Sequence, residues 1–296
     1  MQKKYLQDFL EEYQFPLGTK DVLFASYERV QNSAMFDWVE AYRNKVLDYD
    51  NALDKVRALA VETGVHEYTL ILLFLICLAD VLKDEYVACG MDLQVWRNSM
   101  FDLKYKALDC QDYCGVWGTK DAPWHKQFFI LKRFGFEKLQ FNVRNFDNEY
   151  HKDGIALEKE SPVLAVHIPQ TGEKLDYESV QRAYQKAVAF FRTHFADTFA
   201  DKPIVFLLSS WMLFDKLREV LKPQSNFALF CNDYDVFRQD VYEDYSSLWR
   251  VFHKPYDGNV ENMPQDTSLQ RAYIKWIKQG EKIGGGWGVY CPPYAR

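Results

Sequence analysis

The sequence predicts a protein of the α+β / α/β class, with an all-helical N-terminal domain followed by a mixed-sheet domain with flanking helices. Three observations carry that prediction. Up to about residue 114, apolar residues recur at offsets of three and four, with no strand-like alternation. From residue 138 onward, short apolar or alternating stretches take turns with helical ones, the order of a sheet covered by helices. Between the two regimes, "CGVWGTKDAPW" (114–124) holds two glycines and a proline that break the helical pattern. The boundary is placed there, giving domains 1–120 and 121–296.

In the first domain, helical periodicity runs through Tyr27–Val46 and Asn51–Val61. Glu67–Leu82 is apolar on nearly all sides and is expected to be a central helix surrounded by the others. Leu93, Trp96, Met100, Leu103 and Ala107 line one face of the next helix. In the second domain, Trp124, Phe128 and Leu131 line a short helix that Gly135 is expected to end. A half-buried strand follows, in which Leu139, Phe141 and Val143 face one way while Lys138, Gln140, Asn142 and Arg144 face the other. Val163–Ile168 then reads as a strand, Asp176–Phe195 as a helix, and "KPIVFLLSS" (202–210) as a buried strand. Met212–Leu221 reads as a helix ended by Pro223, and Phe227–Cys231 as another strand. Thr267 and Gln270 form a capping box at the head of the last helix, Gly280 stops it, and "IGGGWGVYC" (283–291) is the last strand.

Composition narrows the function. Residues 1–125 carry 13 Lys+Arg against 20 Asp+Glu, and the remainder 23 against 22. Neither half is the basic surface that nucleic-acid binding requires. The longest apolar run, Leu70–Ala79, is ten residues, against roughly 20 needed to cross a bilayer. In "MQKKYLQDFLEEY", acidic residues stand where a signal peptide would have its apolar run, so a cytoplasmic location is expected, with no membrane partner. Six scattered cysteines fit reduced thiols better than a disulfide framework. Cys110 and Cys114 are half a metal site at most, and no further His or Cys pair completes it. Asp233 and Asp235 are spaced like the first ligands of a calcium loop, but Phe237 and Arg238 occupy the next ligand and glycine positions. No metal is expected.

One stretch invites chemistry. "VLAVHIPQTGEKLDYESVQRAYQKAVAFF" (163–191) is strand, turn and helix, the frame in which a helix start holds a phosphate. Glu173, Asp176 and Glu178 crowd that start, and Asp176 serves it as an ordinary N-cap. Gly284–Gly286 and Gly288 precede a strand rather than opening a helix, so a flexible turn or a bulged strand is expected there.

"KLQF" (138–141), "VHIP" (166–169), "SSWMLFDKLREVLKPQSNF" (209–227) and "TSLQRAYIKWIKQG" (267–280) together resemble a family of two-domain bacterial acyltransferase-like proteins, with a helical N-terminal domain and a GNAT-like C-terminal domain. The resemblance implies transfer of an acyl group from acetyl-coenzyme A or another acyl-coenzyme A to an amine, with a small-molecule acceptor as partner. It implies a coenzyme loop at Gln170, Thr171 and Gly172, although the family's Gln/Arg-x-x-Gly-x-Gly/Ala pattern is incomplete in "QTGEKL". It also implies a sheet that splays beside His167, the candidate base, while Ser210 is the candidate donor to the leaving sulfur. The bland readings are a hydrogen-bonded core histidine and a serine cap. No Gly-x-Ser-x-Gly elbow surrounds Ser210, so a serine hydrolase is not expected. The alternative function is a non-catalytic small-molecule binding protein on a degenerate GNAT frame, with a ligand cleft between the two domains. A structural interaction protein is a third reading.

Overall fold

The structure is a computed structural model that describes residues 3–296. Its chain divides into a first unit that ends at Gly135 and takes in Pro169–Thr171, and a second made of Phe136–Ile168 and Gly172–Arg296.

Seven helices build the first unit: α1 (Lys3–Glu12), α2 (Leu17–Val30), α3 (Met35–Arg43), α4 (Tyr49–Thr63), α5 (Glu67–Ala88), α6 (Leu93–Cys114) and α7 (Ala122–Phe129). Every residue from Leu70 to Ala79 on α5 is buried, because the other six helices pack around it. A helix apolar on all sides is stable in water only when enclosed in this way. Asp48 and Asp92 start α4 and α6 by accepting the backbone N–H of Asn51 (2.9 Å) and Gln94 (2.8 Å). The periodicity over Tyr27–Val46 is two helices, since α2 ends at Val30 and α3 begins at Met35.

Residues 114–124, the expected break, lie within the first unit. The Thr119 N–H donates to Tyr68 O (2.9 Å), and Thr69 Oγ1 donates to Trp117 O (2.8 Å). Gly118 touches the start of α5 so closely that a Cβ there would lie 2.3 Å from the Tyr68 carbonyl carbon. Its glycine serves close approach, which a composition reading cannot tell from flexibility. Gly135 does not stop α7 either. That helix ends at Phe129, and Gly135 lies in strand β1 (Arg133–Phe136), donating its N–H to Ser99 Oγ at 2.8 Å.

The second unit holds β2 (Leu139–Asn145), the small hairpin β3 (Tyr150–Lys152) and β4 (Ile155–Leu157), β5 (Pro162–His167), α8 (Tyr177–His194) and the single turn α9 (Ala196–Phe199). After them come β6 (Phe206–Ser210), α10 (Asn226–Asn232), β7 (Asp235–Val241), the single turn α11 (Trp249–Phe252), α12 (Ser268–Lys278) and β8 (Gly284–Tyr290). The main sheet has the order β1-β2-β5-β6-β8-β7. Strands β5 and β6 run parallel, while β2–β5, β6–β8 and β8–β7 are antiparallel, so the sheet is mixed.

Three expectations change here. Phe227–Cys231 is helix α10, because Ser225 Oγ accepts the Ala228 N–H (3.2 Å) and starts a turn; a short apolar run suits strand and buried helix equally. Met212–Leu221 is two 3-10 turns, Trp211–Leu213 and Asp215–Glu219, separated by the extended Phe214. The segment of Asp233 and Asp235, for which no strand is expected from the sequence, contains edge strand β7. The glycines of β8 sit inside the sheet. Added Cβ atoms would meet Asp240 O at 2.2 Å (Gly284), Tyr242 Oη at 2.3 Å (Gly285), Leu213 O at 2.6 Å (Gly286) and Tyr234 Cβ at 2.9 Å (Gly288). The Thr267–Gln270 capping box is present in both directions.

Candidate active site

The register of the sheet sorts its side chains between two faces, because opposed residues on neighbouring strands point the same way and successive residues alternate. Helix α8 covers one face, where Tyr184 packs on Phe141, Phe206 and Tyr290 with ring centroids 5.8, 4.6 and 5.2 Å apart. Leu164 and Leu208 share that face through their pairing with Phe206 and Gly288. On the opposite face stand Gln140, Asn142, Ala165, His167, Leu207, Ser209 and Trp287.

Strands β5 and β6 pair only at Leu164↔Phe206 and Ala165↔Leu207, plus a Leu164 N–H to Val205 O bond of 2.9 Å. Both strands run further, to His167 and Ser210. The register pairs of β5 with β6 stop at Ala165↔Leu207, before either strand ends. His167 is the last residue of β5. Continuing the Ala165↔Leu207 register sets His167 level with Ser209, which is exposed and opposite Trp287 on β8. Trp287 donates Nε1–H to Asp240 Oδ2 (2.6 Å), and the guanidinium carbons of Arg144 and Arg238 lie 5.2 and 5.4 Å from its ring centroid.

His167 is half-buried, with Nε2 2.5 Å from Asn142 Oδ1. Ser210 takes the other face. Its Oγ accepts the Met212 N–H at 3.2 Å and caps the first 3-10 turn. The sheet therefore does not bring the two candidate catalytic residues together, a parity that the sequence alone does not give.

Gln170, Thr171 and Gly172 lie in the loop from β5 to α8. Gly172 takes a left-handed φ of 75°, with open space where a side chain would be. The carboxylates near the helix start are better neutralised than composition implies. Glu173 pairs with Lys138, and Asp176, which caps α8 through the Ser179 N–H (3.0 Å), lies 3.8 Å from Arg182. Further along, Asp233 accepts from Tyr177 Oη (2.7 Å) and Gln181 Nε2 (2.8 Å), and burial raises its carboxyl above the usual range against those two bonds.

A second polar constellation lies in the first unit. Thr119 Oγ1 is 3.0 Å from His125 Nε2, and His125 Nδ1 is 3.3 Å from Asp102 Oδ2, which also accepts Trp124 Nε1–H at 3.1 Å. The residue types match a nucleophile–base–acid relay. All three are at most 1% exposed, so no substrate reaches the hydroxyl; His125 Nδ1 makes no hydrogen bond to Asp102, and the Thr119–His125 and Trp124–Asp102 bonds instead tie α6, α7 and the segment before it together. Cys110 is buried, which, with Cys114 beside it, pushes its thiol up to about 12. Among the described residues, no group of three or more His, Cys, Asp or Glu could hold a metal ion, and no helix is long and apolar enough to cross a membrane.

A helical unit followed by a mixed sheet with one parallel strand pair is the architecture expected of a GNAT-like acyltransferase. Residues 131–290, more than half the chain, match the GNAT-like C-terminal domain family, and residues 4–131 match the N-acyltransferase N-terminal domain family. The chain belongs to this two-domain acyltransferase family. Among solved structures, it is similar to an acyltransferase in complex with decanoyl-CoA and teicoplanin (TM-score 0.73, 20% identity, covering 97% of this chain and 87% of that one). It is also similar to an acyltransferase mutant in complex with octanoyl-CoA (TM-score 0.74, 20% identity, covering 99% and 89%). At that identity the likeness shows the fold. Comparison with curated proteins gives no match.

Proposed function

We propose that this protein is an N-acyltransferase that moves an acyl group from acyl-coenzyme A to an amine, with His167 as the base. The observation that carries the reading is the β5–β6 ladder, whose register stops after two pairs, short of His167 at the end of β5. A parallel pair whose register stops short of both strand ends is a place where an extended amide chain such as the pantetheine arm could lie along the strands. Structural neighbours crystallised with decanoyl-CoA and octanoyl-CoA support an acyl-CoA donor, and one of them holds teicoplanin as well.

The loop residues fit the donor in part. Gly172 permits the turn, and Gln170, Thr171 and Gly172 would approach the pyrophosphate at the head of α8, where Lys138 pairs with Glu173 and Arg182 lies near Asp176. Asp176 already occupies the cap. The acceptor enters as the neutral amine; as its nitrogen bonds to the thioester carbon His167 takes the proton that nitrogen sheds, and the carbon–sulfur bond breaks. The imidazolium then returns that proton to the thiolate. In this reading one residue carries the proton both ways, and Ser210 remains a cap.

The test is thiol release from acetyl-, octanoyl- and decanoyl-coenzyme A against a panel of amines, alongside isothermal titration of each donor. His167→Gln should keep its fold and lose roughly 10²–10⁴-fold in turnover. Unchanged turnover in a folded variant would remove His167 from the mechanism. Absence of both donor binding and thiol release would favour the non-catalytic binding protein.

A further inference from the structure

The side chain that meets His167 comes from the neighbouring antiparallel strand. Asn142 opposes Ala165, and Gln140 opposes His167, so Asn142 lies diagonally beside the imidazole on the same face. Its amide is held in one orientation, because Nδ2–H donates to Val143 O at 3.1 Å. That bond turns Oδ1 toward the imidazole, 2.5 Å from Nε2. An amide oxygen has lone pairs and no proton, so the ring nitrogen facing it must be the donor.

We propose that Asn142 is a positioning residue that fixes the neutral His167 in the Nε2–H tautomer, so that Nδ1 is the nitrogen that takes the substrate proton. Calling that nitrogen the base rests on the acyltransfer reading above; the tautomer does not. A neutral acceptor is the functional choice. A carboxylate at the same place would favour the imidazolium and leave less free base near pH 7, whereas an amide orients the ring without adding charge. When the proton arrives at Nδ1, the Nε2–H bond to Asn142 becomes charge-assisted and strengthens.

Nitrogen-15 NMR of the imidazole tests the tautomer on the protein alone. The His167 signals are identified as those missing in His167→Gln. In the native protein above the imidazole pKa, Nε2 should resonate as the protonated nitrogen and Nδ1 as the unprotonated one. Asn142→Leu, which removes the acceptor and keeps a side chain of similar size, should give a mixture. The Nδ1–H form in the native protein, or an unaltered spectrum in Asn142→Leu, would overturn the proposal. Kinetics then test the role. Asn142→Asp should move the acid limb of the kcat/KM profile upward by about 1–3 pH units. Asn142→Leu should lower kcat about tenfold, well short of the roughly 10²–10⁴ expected on losing the base, with KM for acyl-CoA unchanged. A shift in neither profile nor kcat would leave Asn142 a structural residue. If His167→Gln retains full activity while the tautomer result stands, the assignment of His167 as the base fails and the tautomer assignment does not.

Discussion

His167 and Ser210, at the ends of neighbouring parallel strands, leave the sheet on opposite faces. Their substitutions should therefore separate cleanly. Ser210→Ala removes the acceptor of the Met212 N–H and should cost about 1 kcal/mol of stability, read as a lower urea midpoint, with turnover per folded molecule unchanged. A large loss of kcat in folded Ser210→Ala would place the hydroxyl in the chemistry after all.

Lys138 and Glu173 form an ion pair beside the loop that precedes α8. If acyl-coenzyme A uses that loop, Glu173→Gln frees the lysine and should tighten binding about two- to fivefold at low salt, since exposed charges near a helix start contribute roughly 0.3–1 kcal/mol. Lys138→Met should weaken binding by a similar factor, and both effects should fade as salt is raised. Isothermal titration at two salt concentrations decides. Affinities indifferent to both changes would put the coenzyme elsewhere.

Gly118 rests on the backbone of Tyr68 and Thr69, leaving no space for a methyl group. Gly118→Ala should destabilise the first unit by about 1–3 kcal/mol, because backbone atoms cannot step aside as a flexible side chain can. A melting temperature equal to that of the native protein would show that the contact relaxes freely.

Asp233 gives a pH dependence with a definite sign. Burial raises its carboxyl in the folded protein, so the folded state keeps the proton at pH values where the unfolded chain has lost it. That stabilisation is fully present below the unfolded pKa near 4 and is lost as pH rises through the raised folded value. Asp233→Asn cannot titrate, so its urea midpoint should vary less between about pH 4 and 7 than that of the native protein. Parallel midpoint curves for variant and native protein would assign the dependence to another group.

What the sequence reveals about this fold is mostly local. Asp176 and the Thr267–Gln270 box are readable because a cap is written within three residues of the turn it starts. The single enclosed helix is readable from Leu70–Ala79, which has no polar side to show water. Phe227–Cys231 reads as a strand because five apolar or aromatic residues carry no period, and only the Ser225 cap separates the two outcomes. Edge strand β7 carries charges that solvate its edge, so it lacks the apolar alternation that marks a strand. The candidate site divides in the same way. His167 is visible as a titratable residue ending an apolar strand, and Asn142 as one of a row of polar residues on another. Their meeting depends on the β2–β5 register, a relation between positions 25 residues apart that no local pattern encodes.

The glycines of β8 have a further consequence. Four positions in the middle of the sheet hold nothing beyond a hydrogen, each pressed against an atom less than 3 Å from where a side chain would begin. In a saturation-mutagenesis library scored only for soluble expression, codons 284, 285, 286 and 288 should be the least permissive stretch of the second unit, stricter than the half-buried proposed base. A map of mutational intolerance would thus point to β8 as the heart of the protein, and would be reporting a shortage of room rather than the place where bonds are made.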